Sequence, residues 1–212
     1  MKIVIIGATG FVGKALVKEA SSRNWEVTAI ARDISKVPDL PGVNAVAADV
    51  SQSENLVALF KGQDAIVNAF NAGWQNPNLY QDFIDGCKAI QQATKEAGVK
   101  RLVVIGGAGS LFIDGQQLVD SAEFPEDWKV GATAARDYLT ILRTEKELDW
   151  SFLSPAIELV PGERTGKFRI GTEHPVFNQD GKSVISVEDL AVAVIDELEK
   201  PAHIRERFTV GY

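Results

Sequence analysis

The apolar run at residues 2–6, KIVII, breaks at Gly7, and Gly10 and Gly13 follow at three-residue spacing before a helical pattern begins. No other feature constrains the chain as strongly. Glycine lets a backbone turn sharply and lets another group approach it closely. A helix that starts directly after such a turn aims its unpaired N–H groups and its positive dipole end at the turn. The helix expected here carries Val12, Leu16 and Ala20 on one face, with Lys14 and Lys18 off it.

The rest of the chain repeats this alternation. Strand candidates are Lys2 to Ile6, Glu26 to Ala31, Ala45 to Ala48, Ala65 to Ala69, Arg101 to Ile105 and Trp150 to Leu153. Helical stretches lie between them, at Val12 to Ser22, Ser53 to Phe60, Tyr80 to Glu96 and Thr133 to Glu147. Continuously apolar strands are buried on both faces, as in a parallel sheet covered by helices. The order predicts an α/β fold, a doubly wound parallel sheet of the Rossmann type. Gly98 stands where a helix C-terminus wants glycine, and Ser186 caps a late helix, Val187 to Leu198, with Pro201 beyond it. After Pro155 glycines punctuate short strand-like pieces, and a last strand candidate covers Arg207 to Val210. With 212 residues the reading is one domain, 1–212, in which 156–212 form a small C-terminal, substrate-side addition.

Two nucleotide readings compete for the glycine turn. A mononucleotide P-loop needs Gly-Lys followed by Ser or Thr, and a further glycine upstream. Ala8 holds that glycine position and Ala15 the hydroxyl position, so the P-loop fails twice. A dinucleotide turn fits better, with spacing Gly-x-x-Gly-x-x-Gly. The end of the second strand then selects the cofactor. NAD enzymes place an acid there for the ribose diol. This chain has Arg32, with Lys36 within reach, and a guanidinium pairs with a 2′-phosphate. NADP is therefore expected ahead of NAD, and Asp33, one place late, keeps NAD open.

Other chemistries are disfavoured. Twenty-two basic residues face 29 acidic ones, a net charge of −7, which repels nucleic acid and anionic membrane surfaces. Cys87 is the only cysteine, so no intramolecular disulfide framework exists, and a cytoplasmic location is expected. His174 and His203 lack partners at ligand spacing, and no metal site is expected. Ser110, in Gly-Ala-Gly-Ser-Leu, misses the nucleophile elbow of hydrolases.

Several segments together resemble the atypical short-chain dehydrogenase/reductases. They are Gly7-Ala8-Thr9-Gly10-Phe11-Val12-Gly13, Arg32, Asp49-Val50, Gly106 to Ser110, Trp150 to Ala156, Pro161 to Lys167 and Arg207 to Tyr212. Within that group the chain is similar to NAD(P)H-binding proteins described as NADH-flavin reductases and related to biliverdin reductase B. The resemblance implies that Thr9, Phe11 and Val12 join the glycines around the cofactor. It implies that Asp49 meets the adenine amino group with Val50 beside the ring. Ala69 and Phe70 would line the cofactor, Ser110 would face the nicotinamide, and Pro155 and Ala156 would bound its pocket. Local alternatives are a turn cap for Asp49 and core packing for Phe70.

Most reductases of the superfamily use Tyr-x-x-x-Lys. Tyr138 stands in place here, but Leu142 holds the lysine position, and Tyr138 can be read as structural or catalytic. Without a nearby cation a tyrosine keeps a pKa of about 10 and is a poor acid–base catalyst. Hydride transfer to a flavin, quinone or similar planar acceptor asks less, because the acceptor delocalises the charge. Ser110 and Tyr138 are the candidate catalytic residues of that reading. A non-catalytic NADP(H)-binding redox sensor is the alternative, and a sugar-nucleotide epimerase or dehydratase is a third. A long connection, Leu111 to Trp128, is expected to be a lid-like loop. Trp74 and Phe112 would stack on the acceptor or pack under loops. Arg164, Lys167 and Arg169 would greet an anionic substrate or form a solvated strand face.

Overall fold

Strand β1 (Lys2–Ile6) sends alternate side chains to opposite faces, so each face of the sheet begins from one short run. Ile3 and Ile5 enter one core, and Val4 and Ile6 enter the other. The computed structural model describes residues 1–212 throughout.

From β1 the chain runs through α1 (Phe11–Ser22), β2 (Glu26–Ala31), β3 (Val43–Ala47), α2 (Ser53–Phe60), β4 (Ala65–Asn68), α3 (Leu79–Glu96) and β5 (Arg101–Ile105). A two-stranded hairpin follows, β6 (Phe112–Ile113) with β7 (Gln116–Gln117), and then α4 (Glu126–Leu142) and β8 (Asp149–Ser154). The remainder comprises β9 (Glu158–Val160), β10 (Arg169–Gly171), β11 (Val184–Ser186), α5 (Val187–Glu199) and β12 (Glu206–Gly211).

Eight strands form the main sheet in the order β10-β12-β8-β5-β4-β1-β2-β3. All neighbours are parallel except β10, which pairs antiparallel with β12 at the edge. The strand order reverses at β1, with β2 on one side and β4 on the other. This is the doubly wound Rossmann-type arrangement, and its reversal point is where such sheets hold ligands. Helices α1 and α5 cover one face, packing Leu16, Val17, Leu190 and Val194 on Ile3 and Ile5. Helices α2, α3 and α4 cover the other, with Phe60, Ile90, Tyr138 and Leu142 over Val4, Ile66 and Val104. Residues 156–212 supply β12, β10 and α5 to this same sheet and core.

Most boundaries agree with the pattern of the sequence to within two residues. Ser186 caps α5 by accepting from Asp189 N at 3.0 Å, and Gly98, at φ 77°, follows α3. Helix α4 differs. It begins at Glu126, seven residues before the expected Thr133, and ends at Leu142, five before Glu147. Pro125 at the N-cap and two acids in the first turn start it early, and Gly131 inside it had masked the pattern. The expected loop Leu111 to Trp128 therefore contains a hairpin, a 3₁₀ turn and the first residues of α4.

Candidate dinucleotide site

The β1–α1 turn is built by backbone contacts. Gly7 N and Ala8 N both donate to Ile30 O, at 3.0 and 3.1 Å, which docks the turn onto the end of β2. Gly7 has φ 77°, and a Cβ there would lie 2.3 Å from Ala69 O. A Cβ on Gly13 would lie 2.0 Å from Gly7 O. The fold itself thus demands these two glycines. Gly10 is different: it is exposed, forms the N-cap of α1, and a Cβ would meet only Gly7 O, at 3.2 Å.

The first backbone N–H of α1 with a protein acceptor is Lys14 N, bonded to Gly10 O. The amides of Phe11, Val12 and Gly13 have none, and α1 has neither a side-chain cap nor an acid in its first turn. Donors and positive dipole end converge above Gly10, beside the half-buried Thr9 and the exposed Phe11. This donor set fits a pyrophosphate, which needs closely approached N–H groups and no competing carboxylate.

At the end of β2, Ala31 is buried and Arg32 is exposed without a protein partner. Asp33 caps the turn that follows. Its carboxylate accepts from Ser35 N at 3.0 Å and Ser35 Oγ at 2.6 Å, capping a 3₁₀ turn at Ile34–Lys36. Lys36 lies 3.7 Å from Asp33 in an exposed pair. Asp49 accepts from Ser51 N at 2.9 Å and Ser51 Oγ at 2.8 Å, so it closes the turn before α2. Those bonds, with Arg32 nearby, hold its carboxyl below the ordinary range. Val50 is half-buried against the α2 side of the core.

Asn68 orders the loop after β4. Its Oδ1 accepts from Phe70 N at 3.0 Å, while its Nδ2 lies 3.5 Å from Cys87 Sγ. Ala69 N bonds Ile6 O, and the Phe70 ring stacks on Phe83 with centroids 6.2 Å apart, over Gly86 of α3. Further along, Trp74 meets Trp128 edge to face at 4.9 Å, and both remain exposed. The Trp74 ring lies over Gly131, where a Cβ would come within 2.6 Å. Phe112 sits apart from this pair; its backbone is tied to Glu173 and His174.

After β5 the glycine-rich turn packs against α4: a Cβ on Gly109 would meet Ala132 at 2.9 Å, and one on Gly106 would meet the Phe152 ring. Ser110 is buried, with Oγ 3.2 Å from Ser154 Oγ and 3.4 Å from Gly107 O. Pro155 and Ala156, also buried, follow β8 directly. Tyr138 lies elsewhere. Its hydroxyl is inside the α3–α4 core, 3.3 Å from Cys87 O and 3.2 Å from Gln91 Oε1, and burial raises its pKa well above the ordinary value. Of the basic trio, Arg164 forks onto Glu19 and Arg169 Nη2 donates to the main-chain oxygens of Phe177 and Tyr212, so only the Lys167 ammonium has no partner. Two clefts, of about 270 and 290 Å³, lie away from the turn, over Phe168 and His203 and over Arg143 and Glu173.

Sequence reasoning missed Asn68, Glu173 and Arg207. Asn68 reads as an ordinary strand end, and Glu173 and Arg207 as separate surface charges 34 positions apart.

The model of a family described as NAD(P)H-binding matches residues 7–201. The chain belongs to this NAD(P)H-binding family. The uncharacterized protein YwnB of Bacillus subtilis is 41% identical over 216 aligned positions, covering 99% of this chain and 98% of YwnB. A solved structure from Bacteroides thetaiotaomicron, proposed to be an epimerase, is 46% identical, with TM-score 0.92 over 100% of this chain and 96% of its own. Another, proposed to be an NADH-flavin reductase of Streptococcus pneumoniae, is 36% identical, with TM-score 0.88 over 100% and 99%. This NAD(P)H-binding protein is an atypical short-chain dehydrogenase/reductase with a nicotinamide cofactor site. No helix is long and apolar enough to cross a membrane.

Proposed function

We propose that this protein is an NADPH-dependent reductase that passes hydride to a planar conjugated acceptor such as a flavin or quinone. The observation that carries the reading is the turn at Gly10, where three unpartnered amides of α1 stand one strand away from an unpartnered Arg32. Phe11, Val12 and Gly13 would hold the pyrophosphate through main-chain N–H groups. Arg32, with Lys36 behind it, would pair with the 2′-phosphate, since Asp33 is committed to Ser35. Asp49 and Val50 would flank the adenine, and Ala69, Phe70, Pro155 and Ala156 would border the nicotinamide end, with Ser110 beneath it.

A bound NADPH would supply the hydride. The protein's own part is to hold two rings together and exclude water. Trp74 and Trp128, exposed at the rim, offer an aromatic surface for a planar acceptor. Tyr138 takes no part in this reading, because its hydroxyl is inside the core and Leu142 stands four residues on. A lone buried cysteine is in keeping with a reducing, cytoplasmic setting.

The test mixes the protein with NADPH and FMN, riboflavin or a quinone, and follows cofactor absorbance. Turnover above a heat-killed control supports the reductase. Tight NADPH binding without turnover across the panel would replace it with the redox-sensor reading.

A further inference from the structure

Arg207 is fully buried, and all three of its nitrogen arms are in use. Nη2 pairs with one carboxylate oxygen of Glu173, and Nε reaches the other at 3.2 Å. That fork leaves Nη1, which donates to Ser110 Oγ at 3.2 Å. The same acidic residue also grips the loop around Ser110 by its main chain, since Phe112 N donates to Glu173 O at 2.9 Å. Glu173 is thus a clamp on both ends of the contact. Its carboxyl is held below the ordinary range: burial acts upward, and Arg207 and Arg143 outweigh it.

A guanidinium has donors and no acceptor. Ser110 Oγ must therefore receive from Arg207, and the serine proton must be given to something else. Within the protein the choices are Gly107 O, at a long 3.4 Å, and Ser154 Oγ, at 3.2 Å. Ser154 is in register with Thr209, whose buried Oγ1 has no hydrogen-bond partner. Beside Ser154, under the ends of β8 and β12, there is thus one buried hydroxyl with no partner.

We propose that Arg207, locked by Glu173, is the positioning residue that fixes Ser110 as a hydrogen-bond donor at the nicotinamide end of the cleft. The proposal rests on the reading above that Ser110 faces the nicotinamide. Without the guanidinium, Ser110 Oγ loses the donor that it must accept from and is free to rotate. The Glu173 carboxylate remains paired if Arg207 is removed, because Arg143 Nη2 lies 3.2 Å from it, so Arg207→Met leaves no isolated carboxylate.

The experiment is a double-mutant cycle of Ser110→Ala and Arg207→Met, read by the emission of bound NADPH, by kcat with FMN and by the Kd for 2′,5′-ADP, which lacks the nicotinamide. The expected result is that each variant lowers kcat and the nicotinamide emission gain by about tenfold, and the double variant by no more than either. The 2′,5′-ADP affinity should hold within about twofold, and Arg207→Lys should recover part of the loss. Losses that multiply in the double variant, a wild-type Arg207→Met, or an equal fall in 2′,5′-ADP affinity would each overturn the proposal. If Arg207→Met does not fold, Glu173→Gln replaces it in the cycle under the same criteria. A wild-type protein that does not bind NADPH would remove the parent reading. Binding with normal emission but no coupling between Ser110 and Arg207 would remove this inference alone.

Discussion

Arg164 closes a two-pronged ion pair on Glu19, with Nε and Nη2 at 2.6 and 2.9 Å from its oxygens. The two residues are 145 positions apart. Glu19 is buried in α1, and it also accepts from Arg23, which reaches on to Asp196 and Glu199 at the end of α5. One carboxylate therefore joins α1, α5 and the Pro161–Lys167 segment. Breaking a buried pair by removing one partner costs about 3–5 kcal/mol, and a half-exposed partner costs less. Glu19→Ala should lower unfolding free energy by about 2–4 kcal/mol, and Arg164→Ala by about 1 kcal/mol, since Arg23 stays on Glu19. Urea denaturation of the two variants measures both.

Acid should destabilise the protein in a defined window set by Glu145. Burial acts to raise its pKa, but the Glu147 amide at 2.6 Å, Gln91 at 2.8 Å and Lys95 at 3.3 Å prevail and bring it to about 2, from 4.5. A depressed carboxyl stabilises the folded state above its unfolded pKa, and that contribution is lost as pH falls through the folded value. The loss should run from about pH 4.5 down to about pH 2. Thermal melts of wild type and Glu145→Gln should converge across that range, and curves that stay parallel would refute the assignment.

The three glycines of the first turn should separate into two classes. Gly7→Ala combines a left-handed φ with a clash against Ala69 O, and Gly13→Ala drives a Cβ into Gly7 O. Each should cost more than about 2 kcal/mol of stability. Gly10→Ala meets a single oxygen at 3.2 Å and should fold with a near-native melting temperature, yet bind dinucleotide at least about tenfold more weakly. Calorimetric unfolding paired with a NADPH titration distinguishes the two classes.

Replacing Arg32 by alanine should weaken NADPH by about tenfold or more and NADH by far less, because only the former carries the phosphate that a guanidinium forks. Fluorescence titration of both cofactors gives the comparison. Equal losses would mean that Arg32 stacks on the adenine or stays in solvent, and NADP selectivity would need another source.

Cys87 should be inert to thiol reagents in the native protein. Burial pushes its thiol up to about 12, and its sulfur sits against Asn68 inside α3. Since the thiolate is the nucleophile, labelling at pH 8 should follow global unfolding. A rapid reaction without denaturant would contradict the buried placement.

The parts of this molecule that the sequence spells out are the ones fixed by neighbours in the chain. The runs at β1, β2 and β5 are apolar on both faces, so their limits coincide with the observed strands. Ser186 announces α5 because its cap bond spans three residues. Asp33, one place after Arg32, caps its own turn through Ser35, a bond that spans two residues. Start signals for α4 were present in Pro125-Glu126-Asp127, but a glycine and the aromatic–acidic mixture around them hid the periodicity. Long-range polar pairs left no such trace. Arg207 looks like any arginine at a strand start until β12 enters the sheet beside β8 and Glu173 folds over it. Arg164 and Arg169 looked like a free basic patch, and both are tied to distant groups of the same chain.

Because neighbouring carbonyls leave no room beside Gly7 and Gly13, these two positions would survive in a descendant that had abandoned its nucleotide altogether. Two thirds of the fingerprint is thus a record of architecture, and drift at the middle glycine is where the retirement of the cofactor would first be written.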